Sequence, residues 1–258
     1  LETSTYYAII YWKKGGNMKI CKSLVCILCS AALIFTTIIN NAHAEENKTY
    51  ADRNKWIRLV ENCGDVLTEV QEMPDQSIPD DLLQRCSAIA IFPSTISAGI
   101  GIGGKYGQGI IMVRNERSGK WSSPAIFTLA GGSIGWQIGG QATDIVLLFM
   151  GREGINGILQ GKFKLGVDAA VSAGPVGRNA EASTDVKLSG ILSYSRSRGL
   201  FAGVKLEGEV ITQHWKGDEE LYGRSLSAEE ILLENKAEMP KAADSILKIL
   251  REYPYKGS

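Results

Sequence analysis

Of the chain's 29 glycines, 23 fall between Gly99 and Gly208. Glycine inside a helix costs about 1 kcal/mol relative to alanine, so this stretch is not mainly helical. In strands, glycine marks bulges, bends and places where two backbones approach closely. Between the glycines the residues are mostly apolar, β-branched or small. Candidate strands are Ala88–Phe92, Ala98–Gly104, Gly109–Arg114, Ala125–Leu129, Ser133–Gly139, Asp144–Met150, Lys164–Ser172, Asp185–Tyr194 and Leu200–Thr212. Turn signals such as Arg117-Ser118-Gly119 and Gly174-Pro175-Val176-Gly177 separate most of them. The spacing predicts a mainly antiparallel, strongly curved sheet or partial barrel, interrupted by one helix at Glu153–Gln160.

Both flanks are helical by their periodicity. Trp56, Leu59, Val60, Cys63, Leu67 and Val70 recur at three- and four-residue spacing and share one face. Met73-Pro74-Asp75 ends that helix, and a short one follows Ser77-Ile78-Pro79-Asp80-Asp81 with Leu82, Leu83 and Cys86 as its apolar residues. Toward the C-terminus, Ser227-Ala228-Glu229-Glu230 is a capping-box pattern ahead of Ile231-Leu232-Leu233. Pro240 opens a last helix carrying Ala243, Ile246, Leu247 and Leu250. No linker is long enough to divide domains. The reading is one α+β domain over 45–258, with its core at about 55–224 and a helical extension at 225–252.

The N-terminal segment reads differently. Met18-Lys19-Ile20-Cys21-Lys22, an apolar run from Leu24 to Ile39 and Ala42-His43-Ala44 have the order of a secretory signal peptide. The apolar run is shorter than the ~20 residues of a spanning helix. The expected cleavage follows Ala44, and the expected destination is the periplasm. Residues 1–17 precede the signal as translated leader, because Gly15-Gly16 is what a purine-rich ribosome-binding sequence ahead of Met18 encodes. The mature chain would then hold 214 residues, with 24 basic and 27 acidic side chains. That balance gives no electrostatic case for nucleic-acid binding.

Enzyme motifs are weak. Gly99-Ile100-Gly101-Ile102-Gly103-Gly104 satisfies G-x-G-x-x-G. However, Lys105-Tyr106-Gly107-Gln108-Gly109 cannot start the helix that would hold a pyrophosphate. Read as a P-loop, the same stretch puts Tyr106 where a hydroxyl should meet magnesium. One histidine and two distant cysteines match no zinc spacing, and no metal or other cofactor is implied. His214 beside Trp215 reads as a rim residue. Glu207 and Glu209 share a face with Lys205 and read as the solvated side of an amphipathic strand, with paired-carboxylate hydrolysis as the remote alternative. Cys63 and Cys86 either bridge the first two helices or remain as buried thiols.

Several ordered motifs resemble the SYLF domain, a lipid-binding family. They are Ile89-Ala90-Ile91-Phe92-Pro93, Gly119-Lys120-Trp121-Ser122-Ser123-Pro124-Ala125, Gly131–Gly139 and Gly174-Pro175-Val176-Gly177-Arg178-Asn179. The longest is Tyr194-Ser195-Arg196-Ser197-Arg198-Gly199-Leu200-Phe201-Ala202-Gly203, followed by Leu206-Glu207-Gly208 and Tyr222-Gly223. The resemblance implies a non-catalytic domain that associates with phospholipid. In eukaryotic relatives this involves phosphoinositides, an N-terminal amphipathic helix and basic residues, and some fungal relatives bind actin. For this chain the expected partners are a phospholipid membrane surface or an envelope protein. Alternation sets Leu192, Tyr194, Arg196 and Arg198 on one strand face. Arginine can fork onto phosphate, and tyrosine suits an interface. Arg178, Lys162 and Lys164 are candidate additions to that headgroup site. Trp56 is a candidate membrane contact or, alternatively, a core anchor.

Overall fold

The computed structural model describes residues 51–73, 75–177, 190–197 and 199–256, with backbone alone at 100–102, 133–140 and 152–153. The predicted leader, signal peptide and cleavage site lie outside the described residues. Helix α1 covers residues 51–72 and α2 covers Asp80–Arg85. Two long strands follow, β1 at Ala88–Val113 and β2 at Ala125–Phe149. Then come α3 (Arg152–Leu159), β3 (Lys162–Lys164), β4 (Val171–Ala173), β5 (Ile191–Ser197), β6 (Leu200–Gly203) and β7 (Val210–Gln213). The chain closes with α4 (Trp215–Tyr222), α5 (Ala228–Leu232), a 3-10 turn and α6 (Asp244–Arg251).

The described strands form one curled, mostly antiparallel sheet, a half-barrel in which only β4 and β5 pair in parallel as named strands. Its order is β3-β7-β2-β5-β4, with β1 on β2 and β6 on β5. The fold is α+β, with helices from both ends packed on the sheet.

Strand alternation divides the interior into two cores. Ile89, Ile91, Ile110 and Met112 of β1 point into one, together with Trp56, Val60 and Leu67 of α1 and Ile246 and Leu250 of α6. Ala90, Phe92, Ile111 and Val113 point into the other, with Ile155 of α3 and Ile231 of α5. The two-residue period of a strand thus serves a sheet buried on both faces, which explains why its ends read as continuous apolar runs.

The sequence predicts three strands where the structure has β1, and three more where it has β2. Glycine did not break them because a glycine flanked by open space can stay extended. Methyl groups placed at Gly104 or Gly132 would meet nothing within 4 Å. The true turn between β1 and β2 is at 114–121, where Gly119 has φ 68° and Asn115 Oδ1 accepts from the amides of Arg117 and Ser118. The expected strand Lys164–Ser172 is likewise split between β3 and β4, and Leu200–Thr212 between β6 and β7. The flanking helices match their expected residues. The Ser227–Glu230 capping box is complete, with both reciprocal hydrogen bonds made.

Candidate functional site

The predicted headgroup face is covered. Leu192 and Tyr194 belong to the core beneath α1, and the Tyr194 ring stacks on Phe201 at 5.2 Å. Its hydroxyl is buried with no hydrogen-bond partner among the described residues. Tyr194 therefore stands inside the fold rather than at a wet interface. Arg196 lies at the edge of the same face but is engaged. Its Nε and Nη2 reach Asp144 Oδ2 at 2.8 and 2.7 Å, and Nη1 pairs with Glu69 of α1. Leu192, Tyr194 and Arg196 share a face, and α1 lies over it. Arg178 and Arg198 lie outside the described residues.

Lys162 and Lys164 are exposed on edge strand β3, with Phe163 buried between them. Two strands, β7 and β2, separate β3 from β5 in the sheet order, so these lysines do not extend the Arg196 strand. Trp56 is 2% exposed, and its indole Nε1 donates to Glu220 at 2.6 Å, which makes it a core anchor. Cys63 and Cys86 are free, buried thiols that donate to the carbonyls of Ile91 and Leu83. Burial pushes both thiols upward, Cys86 to about 12, so neither is disposed to react.

The residues weighed for hydrolysis are not assembled. Glu207 is exposed and pairs with Lys205, whereas Glu209 is buried and pairs with Lys105 at 2.8 Å. The expectation of a solvated Glu207/Glu209 face fails because 204–209 is a loop that turns Glu209 inward. His214 is the N-cap of α4; its Nδ1 accepts from the Gly217 amide at 2.9 Å, and its ring lies 4.7 Å from Trp56. Burial lowers its pKa from the ordinary value. Among the described residues, no group of three His, Cys, Asp or Glu side chains could hold a metal ion.

What the structure adds is a ribbon. Among the described residues, β1 from Ile96 to Lys105 pairs only with β2, and β2 over the matching span Gly131–Ala142 pairs only with β1. Elsewhere β2 gains a second neighbour, β7 at Phe127–Ala130 and β5 at Asp144–Phe149. The ribbon leaves the half-barrel and comes back to it. A methyl group at Gly107 would fall 2.3 Å from Thr95 Oγ1, and one at Gly109 only 2.1 Å from the Ile91 carbonyl oxygen. The two ends of one strand therefore touch, and the ten residues 96–105 run out and back between them. At ~3.3 Å per residue each arm reaches about 17 Å.

The register shows where it bends. Gly99 pairs with Gly139 and Gly101 with Gly135, so β1 places one residue in that interval and β2 three. The strand on the outside of a bend needs the longer path, so β2 runs outside. A second shift lies at the neck, where Ser94 takes φ 49° and its amide donates to Asp144 Oδ1 at 2.8 Å. Lys105 and buried Glu209 pin the other arm, and Gly131 packs against Glu209.

The chemistry of the ribbon is uniform. Between Pro93 and Lys105, and between Ala125 and Asp144, no residue is charged. Ile96 at one end of the ribbon and Tyr106, one residue beyond the other, are 57% and 52% exposed, among the largest apolar exposures on the described surface. The earlier G-x-G-x-x-G motif lies in this ribbon and leads into no helix. Among the described residues, no helix is long and apolar enough to cross a membrane.

Comparison with known proteins gives a consistent set of relatives. The family model described as Ysc84, Las17-binding protein actin regulator, matches residues 130–253. Protein YSC84 of Saccharomyces cerevisiae is 35% identical over 180 residues, 68% of this chain and 38% of the relative. LAS seventeen-binding protein 3 of the same yeast is 34% identical over 71% of this chain and 41% of the relative. SH3 domain-containing YSC84-like protein 1 of Homo sapiens is 31% identical over 71% of this chain and 53% of the relative. The chain thus spans about two fifths to half of the length of these relatives.

Proposed function

The chain belongs to the SYLF family, and on that premise we propose that it is a non-catalytic binding protein that engages phospholipid surfaces through the glycine-rich ribbon. The observation that carries this reading is the two-stranded, uncharged span 96–104 with 132–142, which has both edges unpaired among the described strands. Exposed apolar groups such as Ile96 and Tyr106 gain ~25 cal/mol for each Å² removed from water. Unpaired strand edges cannot enter hydrocarbon, where backbone groups find no water. Contact is therefore limited to the headgroup layer. The proposed setting is the bacterial envelope, reached by a signal peptide at 18–44 with cleavage after Ala44. The mature chain's excess of acid gives no long-range pull toward anionic lipid, so contact with the ribbon must supply the affinity.

A second reading is protein binding, favoured by the printed names of the relatives, which include a LAS seventeen-binding protein. The unpaired ribbon edges suit it, because an exposed edge can accept a partner's strand.

Co-sedimentation with phosphatidylcholine and phosphatidylglycerol vesicles separates the two. Ribbon-driven binding should occur with both lipids and change little with salt. It should weaken about tenfold in Ile96→Asp/Tyr106→Asp, because burying a carboxylate at the interface costs more than the apolar gain. Absence of wild-type binding to either vesicle would reject the lipid reading and leave the protein-partner one.

A further inference from the structure

The joint between α1 and α4 is built around the imidazole of His214. The residue is the N-cap of α4, and its Nδ1 accepts from the Gly217 amide at 2.9 Å. The same amide donates to the His214 carbonyl at 2.8 Å, so the first turn of the helix is held by backbone and ring together. The His214 amide in turn donates to the Ile126 carbonyl of β2 at 2.9 Å, which fixes the residue against the sheet. Its ring lies 4.7 Å from that of Trp56 of α1, and Trp56 Nε1 donates to Glu220 of α4 at 2.6 Å. A methyl group at Gly217 would fall 2.8 Å from His214 Nδ1 and 3.1 Å from both Trp56 Cε2 and Ile126 Cγ2, so the three elements meet with no spare room.

An imidazole nitrogen that accepts a hydrogen bond is unprotonated, so the neutral ring carries its hydrogen on Nε2. A proton added to Nδ1 would set N–H against N–H across that bond. It would also put a full positive charge at a helix N-terminus, where the partial charge is already positive. The ring has to turn to relieve this, and turning it disturbs the Trp56 contact. The charged groups that face the ring are Lys55 from α1 and Lys216 and Glu220 from α4, whereas β2 presents the uncharged Ile126. The two lysines oppose a further positive charge. Glu220 favours it but is already shared between Trp56 and Lys216, the latter at 3.4 Å. Burial is the largest influence and holds the imidazole below its ordinary 6.5. Neutral His214 therefore favours the closed joint. Its contribution is complete above pH 6.5 and is lost as pH falls through the lower, folded value.

We propose that His214 is an acid-sensitive catch between α1 and α4, in which protonation at Nδ1 opens the first turn of α4 and frees Trp56, the anchor of the first turns of α1. Asp218, one turn further along α4, is a separate device. It holds the Ile126 amide and Gln213 on the sheet side, and its protonation favours burial where that of His214 opposes the closed joint. The two groups therefore pull overall stability in opposite directions with pH, and only a local readout isolates the catch. The catch is separate from the ribbon and needs no ligand.

Hydrogen exchange followed by mass spectrometry at about pH 7.5 and about pH 5 tests this, with rates corrected for the intrinsic pH dependence of amide exchange. In the wild-type protein the amides of 53–60 and 215–220 should exchange about fivefold faster, relative to the sheet, at the lower pH. That is the size expected when one cap is lost. His214→Asn keeps a capping side chain that does not titrate, and it should remove the step. His214→Ala lacks the acceptor and should exchange quickly at both pH values. Asp218 is unchanged in each protein, so a step that persists in His214→Asn belongs to another group and overturns the proposal. A wild-type joint that is equally protected at both pH values overturns it as well. If the alanine variant does not fold, a proton NMR titration decides without it. The imidazole signal that is missing from His214→Asn should titrate below 6.5 in the wild type, and a value at or above 6.5 overturns the proposal.

Discussion

Replacing Tyr194 with phenylalanine should stabilise the protein. The hydroxyl lies inside the core beneath α1, with no hydrogen-bond partner among the described residues. Burial, with a smaller contribution from the Cys86 thiol, pushes the phenol well above its ordinary pKa of 10. The group is tolerated because Gly174 lacks a side chain: a methyl group there would fall 2.0 Å from Tyr194 Cζ and 2.4 Å from its oxygen. A buried donor without an acceptor costs about 1–3 kcal/mol. Removing it forfeits a few dispersion contacts of about 0.1–0.2 kcal/mol each. The ring, its stacking on Phe201 and its buried area are retained. The net gain is about 1 kcal/mol, or roughly 2–4 °C in melting temperature for a domain of about 200 residues. Thermal and urea denaturation of residues 45–258 measure it, and vesicle co-sedimentation runs in parallel. If the hydroxyl met a lipid headgroup, Tyr194→Phe would lose binding with little change in stability. A melting temperature that falls by 2 °C or more would show that the hydroxyl has a partner and would refute the reasoning.

Four further outcomes follow from the same structure. Gly109→Ala should destabilise by about 1–3 kcal/mol or more, because its methyl would strike the Ile91 carbonyl, whereas Gly104→Ala should be nearly neutral in the same melts. Asp218 is fully buried and its pKa is raised, first by desolvation, from 3.8 to about 7, despite hydrogen bonds from Gln213 and the Ile126 amide. A raised carboxyl favours folding when protonated, so its contribution is complete below about pH 4 and is lost as pH rises to about 7. The total is at most about 4 kcal/mol, and an Asp218→Asn variant should show a flatter pH–stability profile over that window. In a protein of residues 45–258, Cys63 and Cys86 should resist a thiol reagent until denaturant is added and should show no mass change on reduction. Ser227→Ala should cost about 1 kcal/mol in urea melts by removing the cap to the Glu230 amide.

Apart from α4, which the sequence reading did not anticipate, the helices were legible because their periodicity and caps are local. Trp56, Val60 and Cys63 needed only a spacing rule to share a face, and Ser227 needed only its third neighbour. The sheet was legible as a class and not as a layout. Whether Gly101 ends a strand or continues it depends on its pairing with Gly135, and no local signal carries that distance. The Tyr194–Arg196 face shows the same limit, because alternation identifies a shared side without showing whether solvent or another element covers it. Here Glu69 of α1 and Asp144 reach Arg196, so the charge of that arginine is neutralised within the fold.

Arg114 reverses that lesson. In sequence it is a charge following the apolar Ile110-Ile111-Met112-Val113, the usual mark of a strand emerging into water. It is buried only because Tyr253-Pro254-Tyr255 returns from the far end of the chain to accept its hydrogen bond and cover it with a ring. The electrostatics of this fold therefore do not follow its charge pattern. The conspicuous arginine is spent within the fold, and an inconspicuous one is left without a counter-charge. Truncation after Arg251 removes the Tyr253 carbonyl and the Tyr255 ring that cover the guanidinium, so it should lower the melting temperature although no residue of the sheet is changed.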